Sequence, residues 1–87
     1  MARFLLNAPH TKDDCVQALD SVVAHSDSLL GRFDWGCKVG EHVGWVVVEA
    51  QDERTALMLL PTAIRDDATA IQLNKFTAED VKSFHQQ

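Results

Sequence analysis

Basic residues are few and dispersed in this chain. Eight Lys and Arg stand against thirteen Asp and Glu, for a formal net charge of −5 at pH 7. That balance excludes nucleic acid as an expected partner, because Lys and Arg dominate binding to a phosphate backbone. Long apolar runs are missing too: none approaches the roughly 18 residues that a membrane-spanning helix needs. The first ten residues, MARFLLNAPH, hold one Arg and a short apolar stretch, less than a secretory leader requires. Cysteine is scarce. Two cysteines are too few for the disulfide framework of a small secreted domain, so a reducing cytoplasm is the expected location. No internal repeat, low-complexity segment or linker interrupts the chain.

What is present describes a globular protein. The 87 residues suffice for one domain, residues 1–87, with one small core. The composition, 46% hydrophobic and 24% charged, is ordinary for a folded domain. Chains of this size bury only about two-thirds of their unfolded surface, which makes association with a second copy a common source of stability.

Residues 32–50, RFDWGCKVGEHVGWVVVEA, organise the rest. They read as two strands joined by a short turn, Lys38-Val39-Gly40-Glu41, in which Gly40 is free to take a positive φ. Phe33, Trp35 and Cys37 alternate along the first of these strands. In the second, Val43, Trp45 and Val47 face one side, while Gly44, Val46, Val48 and Ala50 face the other. A strand apolar on both faces belongs in the middle of a sheet covered on both sides.

Upstream, residues 2–8 form a first strand with Phe4, Leu6 and Ala8 on one face. After Pro9, Thr11 and Asp14 supply the start signal of a helix. Cys15, Ala18, Leu19 and Val22 form its buried stripe, and Gly31 is its expected stop. Downstream, Asp52 caps a helix carrying Ala56, Leu59, Leu60 and Ala63, which ends or kinks before Pro61. Residues 68–76 read as a fourth strand with Ile71 and Leu73 toward the core. Arg65 is expected to pair with Asp66 or Asp67. Thr77 and Asp80 form a capping box for a C-terminal helix, with Phe76 and Val81 as its hydrophobic staple. His85, Gln86 and Gln87 are expected to fray.

The order is β-α-β-β-α-β plus a terminal helix. It predicts an α+β fold of the ferredoxin-like kind, an antiparallel sheet with helices on one face. The length, the element order and the passage from Gly44 to Leu57, GWVVVEAQDERTAL, resemble the dimeric α/β-barrel proteins, a superfamily that includes cofactor-free monooxygenases and muconolactone isomerase. The resemblance covers most of the chain and is one of architecture, and no catalytic residue of the family transfers onto a position here. It implies a homodimer and a cleft between sheet and helices.

Placed on that topology, His10, Cys15, Cys37 and His42 all fall at one edge of the domain. His10 precedes the Thr11 cap and Cys15 lies a turn beyond it. Cys37 and His42 flank the hairpin turn. Thiolate plus imidazole is the ligand set favoured by Zn, Cu or Ni, so these four are the candidate metal site. The same residues have a plain packing explanation: Cys15 lies on a buried helix face, His10 can cover it, Cys37 shares the face of Phe33 and Trp35, and free Cys is often core. Cys37 with His42, or Cys15 with His10, could also serve as nucleophile and base. Asp34 and Trp35 are candidate ligand-binding residues, with Trp35 as an apolar wall.

The function expected is therefore that of a small homodimeric binding protein, holding a transition metal or small ligand at the Cys/His edge. A cofactor-free enzyme working on a small organic molecule in the sheet–helix cleft is the alternative. A structural or regulatory dimer without small-molecule chemistry is a third reading.

Overall fold

The computed structural model describes residues 1–86; Gln87, counted above in the frayed end, lies outside them. Four strands, β1 (Ala2–Pro9), β2 (Asp34–Trp35), β3 (Val43–Ala50) and β4 (Thr69–Leu73), form one sheet in the order β2-β3-β1-β4. Every neighbouring pair is antiparallel. The five helices are α1 (Cys15–His25), α2 (Asp27–Arg32), α3 (Glu53–Leu57), α4 (Thr62–Arg65) and α5 (Ala78–His85), and short 3-10 turns occupy Lys12–Asp14 and Cys37–Val39. The fold is α+β, as the element order predicts.

The alternation read from β1 and β3 sets which face is buried. Phe4, Leu6 and Ala8 join Val46, Val48 and Ala50 in one core with Ala18 and Val22 of α1, Leu29 of α2, Ala56 of α3 and Ile64 of α4. Leu6 and Leu60 are wholly enclosed, and each such side chain contributes about 1.5–3 kcal/mol by leaving water. The opposite face stays open. There Leu5 stands between Val47 on β3 and Ile71 on β4, and Val47 and Ile71 are exposed.

Several local expectations are corrected. β4 presents Ile71 and Leu73 to the open face, because pairing with Leu5 and Arg3 fixes their side; Ala70, opposite Leu6, takes the core side. The first helix breaks before Gly31. Ser26 adopts an extended conformation and its hydroxyl accepts from Leu29 N, so α2 starts afresh with Gly31 inside it. β2 is only two residues long, and Cys37 belongs to the turn beyond it.

Asp52 caps α3 as expected, accepting from Thr55 N. The helix ends at Leu57, and Pro61 stands immediately before α4. Arg65 pairs with neither aspartate: its guanidinium donates to the carbonyls of Leu60 (2.7 Å) and Met58 (3.3 Å), closing the end of the preceding turn. The Thr77–Asp80 capping box is present. Phe76 meets Phe84 edge-on, with ring centroids 5.6 Å apart. α5 contributes no buried residue, and the molecule is elongated, 51 × 29 × 21 Å.

Candidate metal centre

Three segments converge where β1 ends, β3 begins and the β2–β3 turn closes. Pro9 is the last residue of β1, yet the ladder continues one step past it, because His10 N donates to His42 O at 2.9 Å. That bond ties the two histidine backbones together across the sheet.

The turn is held by its own backbone. Gly36 N donates to Val43 O (3.1 Å) and Glu41 N donates to Gly36 O (2.9 Å). Gly40 adopts φ 90°, a left-handed conformation that costs glycine little. Gly36 is required for a different reason: a Cβ there would sit 2.6 Å from Glu41 O. The tight turn brings Cys37 and His42 back toward β1. On the helix side, the Thr11 hydroxyl accepts from Asp14 N (3.2 Å) and donates to the Asp14 carboxylate (2.9 Å), fixing the turn that delivers Cys15 as the first residue of α1.

The outcome is a four-residue cluster. One ligand atom from each of His10, Cys15, Cys37 and His42 lies within 4.8 Å of all the others, and all four residues are half-buried. His10 Nε2 is 3.2 Å from Cys37 Sγ. The rings of His10 and His42 meet edge-on at 5.9 Å, and Trp35 packs against His10 at 6.0 Å. Both cysteines are free thiols.

Zn–S bonds of about 2.3 Å and Zn–N bonds of about 2.0–2.1 Å place the corners of a tetrahedron about 3.3–3.8 Å apart. The four atoms thus need only a small contraction to surround one ion. Nδ1 of His10 and of His42 is buried with no hydrogen-bond partner among the described residues, an arrangement that costs about 1–3 kcal/mol per group unless something satisfies it. A metal ion would relieve that cost only where it binds through Nδ1 itself; the chemical fit rests on the donor set, since two thiols and two imidazoles are a standard tetrahedral zinc set.

Burial pushes the Cys37 thiol above its ordinary value, and its hydrogen bond and charge interaction with Cys15 push the same way. With no ion bound, Cys37 is therefore a neutral thiol near pH 7, and metal entry must displace its proton.

Beside the cluster lies an open cavity of about 550 Å³ whose lining includes His10, Thr11, Asp14, Gln17, Ala18 and Asp67. His10 forms its wall toward the cluster.

The two other candidates are not brought together. Asp34 pairs with Trp45 and is exposed on the open side. Trp35 pairs with Gly44 and turns to the core, its ring stacked on Phe33 at 4.9 Å. Neither lines the cavity beside His10. His25 and His85 are exposed, and His85, expected to fray, is the last residue of α5. The residue that sequence reasoning passed over is Gly36; its one visible signal is its place between Trp35 and Cys37, where only glycine lets the turn close.

No family model, curated protein or solved structure matches the chain.

Proposed function

We propose that this protein is a metal-binding protein whose ion, zinc by donor preference, is held by His10, Cys15, Cys37 and His42. One observation carries the reading: four ligand atoms from three separate segments lie within 4.8 Å of one another. Two thiols and two imidazoles form one of the standard donor sets of tetrahedral zinc, and a set of four protein ligands leaves no open position for a reacting water. Binding, storage or structural use of the ion suits that closed set better than metal-assisted hydrolysis. Asp14 and Asp67 on the neighbouring cavity favour the approach of a cation.

The remaining parts of the reading concern the scaffold. The strand order supports a ferredoxin-like sheet of the dimeric α/β-barrel kind, and the two cysteines, too few for a disulfide framework, support a reducing cytoplasm. The open-face row of Val47, Leu5 and Ile71, in which Val47 and Ile71 are exposed, supports a homodimer packed through that face. The interior between sheet and helices is filled by Leu6, Val22, Val48 and Leu60, which favours the binding protein over an enzyme acting inside that space.

Titration of the reduced protein with cobalt(II), followed by absorbance, tests the metal site. The expected result is a thiolate-to-cobalt band that saturates at one ion per chain and disappears in Cys37→Ala and His10→Ala. Absence of the band in the wild type, or its persistence in both variants, would return the four residues to a packing role.

A further inference from the structure

Cys15 and Cys37 are close to each other as well as to the histidines. Their sulfurs belong to the group of atoms that lies within 4.8 Å, and a disulfide needs them about 2.05 Å apart. Each cysteine is the first residue of its element: Cys15 opens α1 and Cys37 opens the 3-10 turn. Such terminal turns adjust more readily than the middle of a helix or strand. Both side chains are half-buried and free, so a molecule as small as a peroxide can reach them.

We infer that Cys15 and Cys37 form a reversible thiol–disulfide couple, and that oxidation of this pair by hydrogen peroxide ejects the metal ion from the site. The release half of the inference rests on the metal-binding reading above; the couple itself does not. In the step, one cysteine reacts as its thiolate, which in the metal-free protein forms first by loss of the thiol proton to solvent, and it attacks the peroxide O–O bond. An S–O bond forms, the O–O bond breaks, and the departing hydroxide takes up a proton to become water. The second thiolate then attacks the sulfenic sulfur, forming the S–S bond and expelling a second hydroxide, which is also protonated. In total, two thiolates lose two electrons, one peroxide gains them, and two protons are consumed to give two waters. The metal loses both sulfur ligands at once. His10 and His42 remain, a pair that binds zinc far more weakly than the full set. A dithiol reductant reverses the bond and restores the site.

The nearness of the second thiol gives this outcome its specificity. A solitary oxidised cysteine would proceed toward sulfinic acid, whereas here the sulfenic intermediate has a partner within reach.

The test uses the intact chain in two arms. In the metal-free arm, one equivalent of hydrogen peroxide is added and thiols and intact mass are followed. The expected result is loss of both titratable thiols, a mass decrease of about 2 Da for the two hydrogens removed, and a non-reducing gel without a covalent dimer. In the second arm, the cobalt-loaded protein is treated in the same way. Its thiolate band should collapse in step with thiol loss, apparent affinity should fall by more than about 100-fold, and dithiothreitol should restore the band. Cys15→Ser and Cys37→Ser should each give no internal bridge. Retention of both thiols, a mass increase from sulfinic acid, or disulfide-linked dimers would overturn the couple. A bridged protein that keeps its cobalt band would overturn the release. An internal bridge in a protein that never showed a cobalt band would leave the couple standing and remove the metal reading instead.

Discussion

His10 Nε2 and Cys37 Sγ lie 3.2 Å apart although 27 residues of chain separate them. That spacing is already near the edge of a zinc tetrahedron, so this pair needs little movement to share an ion. It also spans the sheet: His10 follows β1, Cys37 follows β2, and β3 runs between those strands.

Removal of either end of this contact should be felt first in metal affinity. His10→Ala and Cys37→Ala should each weaken zinc binding by more than the roughly 100-fold that changes around a metal's ligands can cause. His25→Ala and His85→Ala alter exposed residues and should leave affinity unchanged. Competition with a chromophoric chelator measures all four, with far-UV circular dichroism as the check on folding.

Affinity should also rise with pH. The Cys37 thiol is held above 9.0, first by burial and then by its hydrogen bond and charge interaction with Cys15, so its proton is present near neutrality and leaves when metal binds. Each such proton makes affinity increase about tenfold per pH unit below the folded pKa. In the metal-free protein the sign is reversed. The stability linked to the neutral thiol is fully present below 9.0 and is lost as pH rises through the higher folded value. Zinc competition from neutral to alkaline pH should show the slope, and Cys37→Ala should flatten it.

Two glycines should respond in opposite directions. A Cβ at Gly44 would come within 2.6 Å of the Trp35 ring, which is stacked on Phe33. Gly44→Ala should therefore cost about 1–3 kcal/mol, the usual range for overpacking. At Gly31, inside α2, a Cβ would meet nothing within 4 Å. Gly31→Ala should stabilise by up to about 1 kcal/mol through helix propensity and a less flexible unfolded chain. Urea midpoints decide both.

The two faces of the sheet should separate stability from association. Leu6→Ala opens a cavity in the enclosed face and should cost about 2–5 kcal/mol. Ile71→Glu alters the open face, where the side chain is 57% exposed, and should leave the unfolding midpoint of the monomer within about 0.5 kcal/mol of the wild type. Its effect should be on mass: light scattering is expected to give a dimer for the wild type and a monomer for Ile71→Glu. A monomeric wild type would remove the proposed homodimer.

Asp52 holds the start of α3 through its bond from Thr55 N, which keeps its carboxyl below the ordinary 3.8. Its contribution is present above 3.8 and is lost as pH falls through the lower folded value. Asp52→Asn keeps a capping acceptor but removes the titration. Acid unfolding of that variant should lack this part of the pH dependence.

How much of this was legible in the sequence varied with the physics involved. The alternation in β1 and β3, the capping positions of Ser/Thr/Asp residues and the positive φ of Gly40 are local properties, and local pattern captures them. The cluster was legible for a related reason: strand and helix directions place His10, Cys15, Cys37 and His42 at one edge before any side chain is considered. The side taken by Ile71 was not, because alternation gives a strand its phase without saying which phase is buried; pairing with Leu5 decides that. The break at Ser26 was missed because the apolar stripe continues past it, while a hydroxyl bond to Leu29 N competes locally and wins. The shortness of β2 follows from the Gly36 turn, whose demand is steric and non-local.

That shortness leaves the outer edge of β3 beyond Trp45 without a neighbouring strand, and such an edge can template the addition of another chain. Arg32 Nη2 donates to Val47 O at 2.7 Å, occupying an acceptor on that rim and placing a fixed positive charge beside it. Loss of Arg32 would free that acceptor and remove the charge, leaving the rim open to the pairing that an unprotected edge allows.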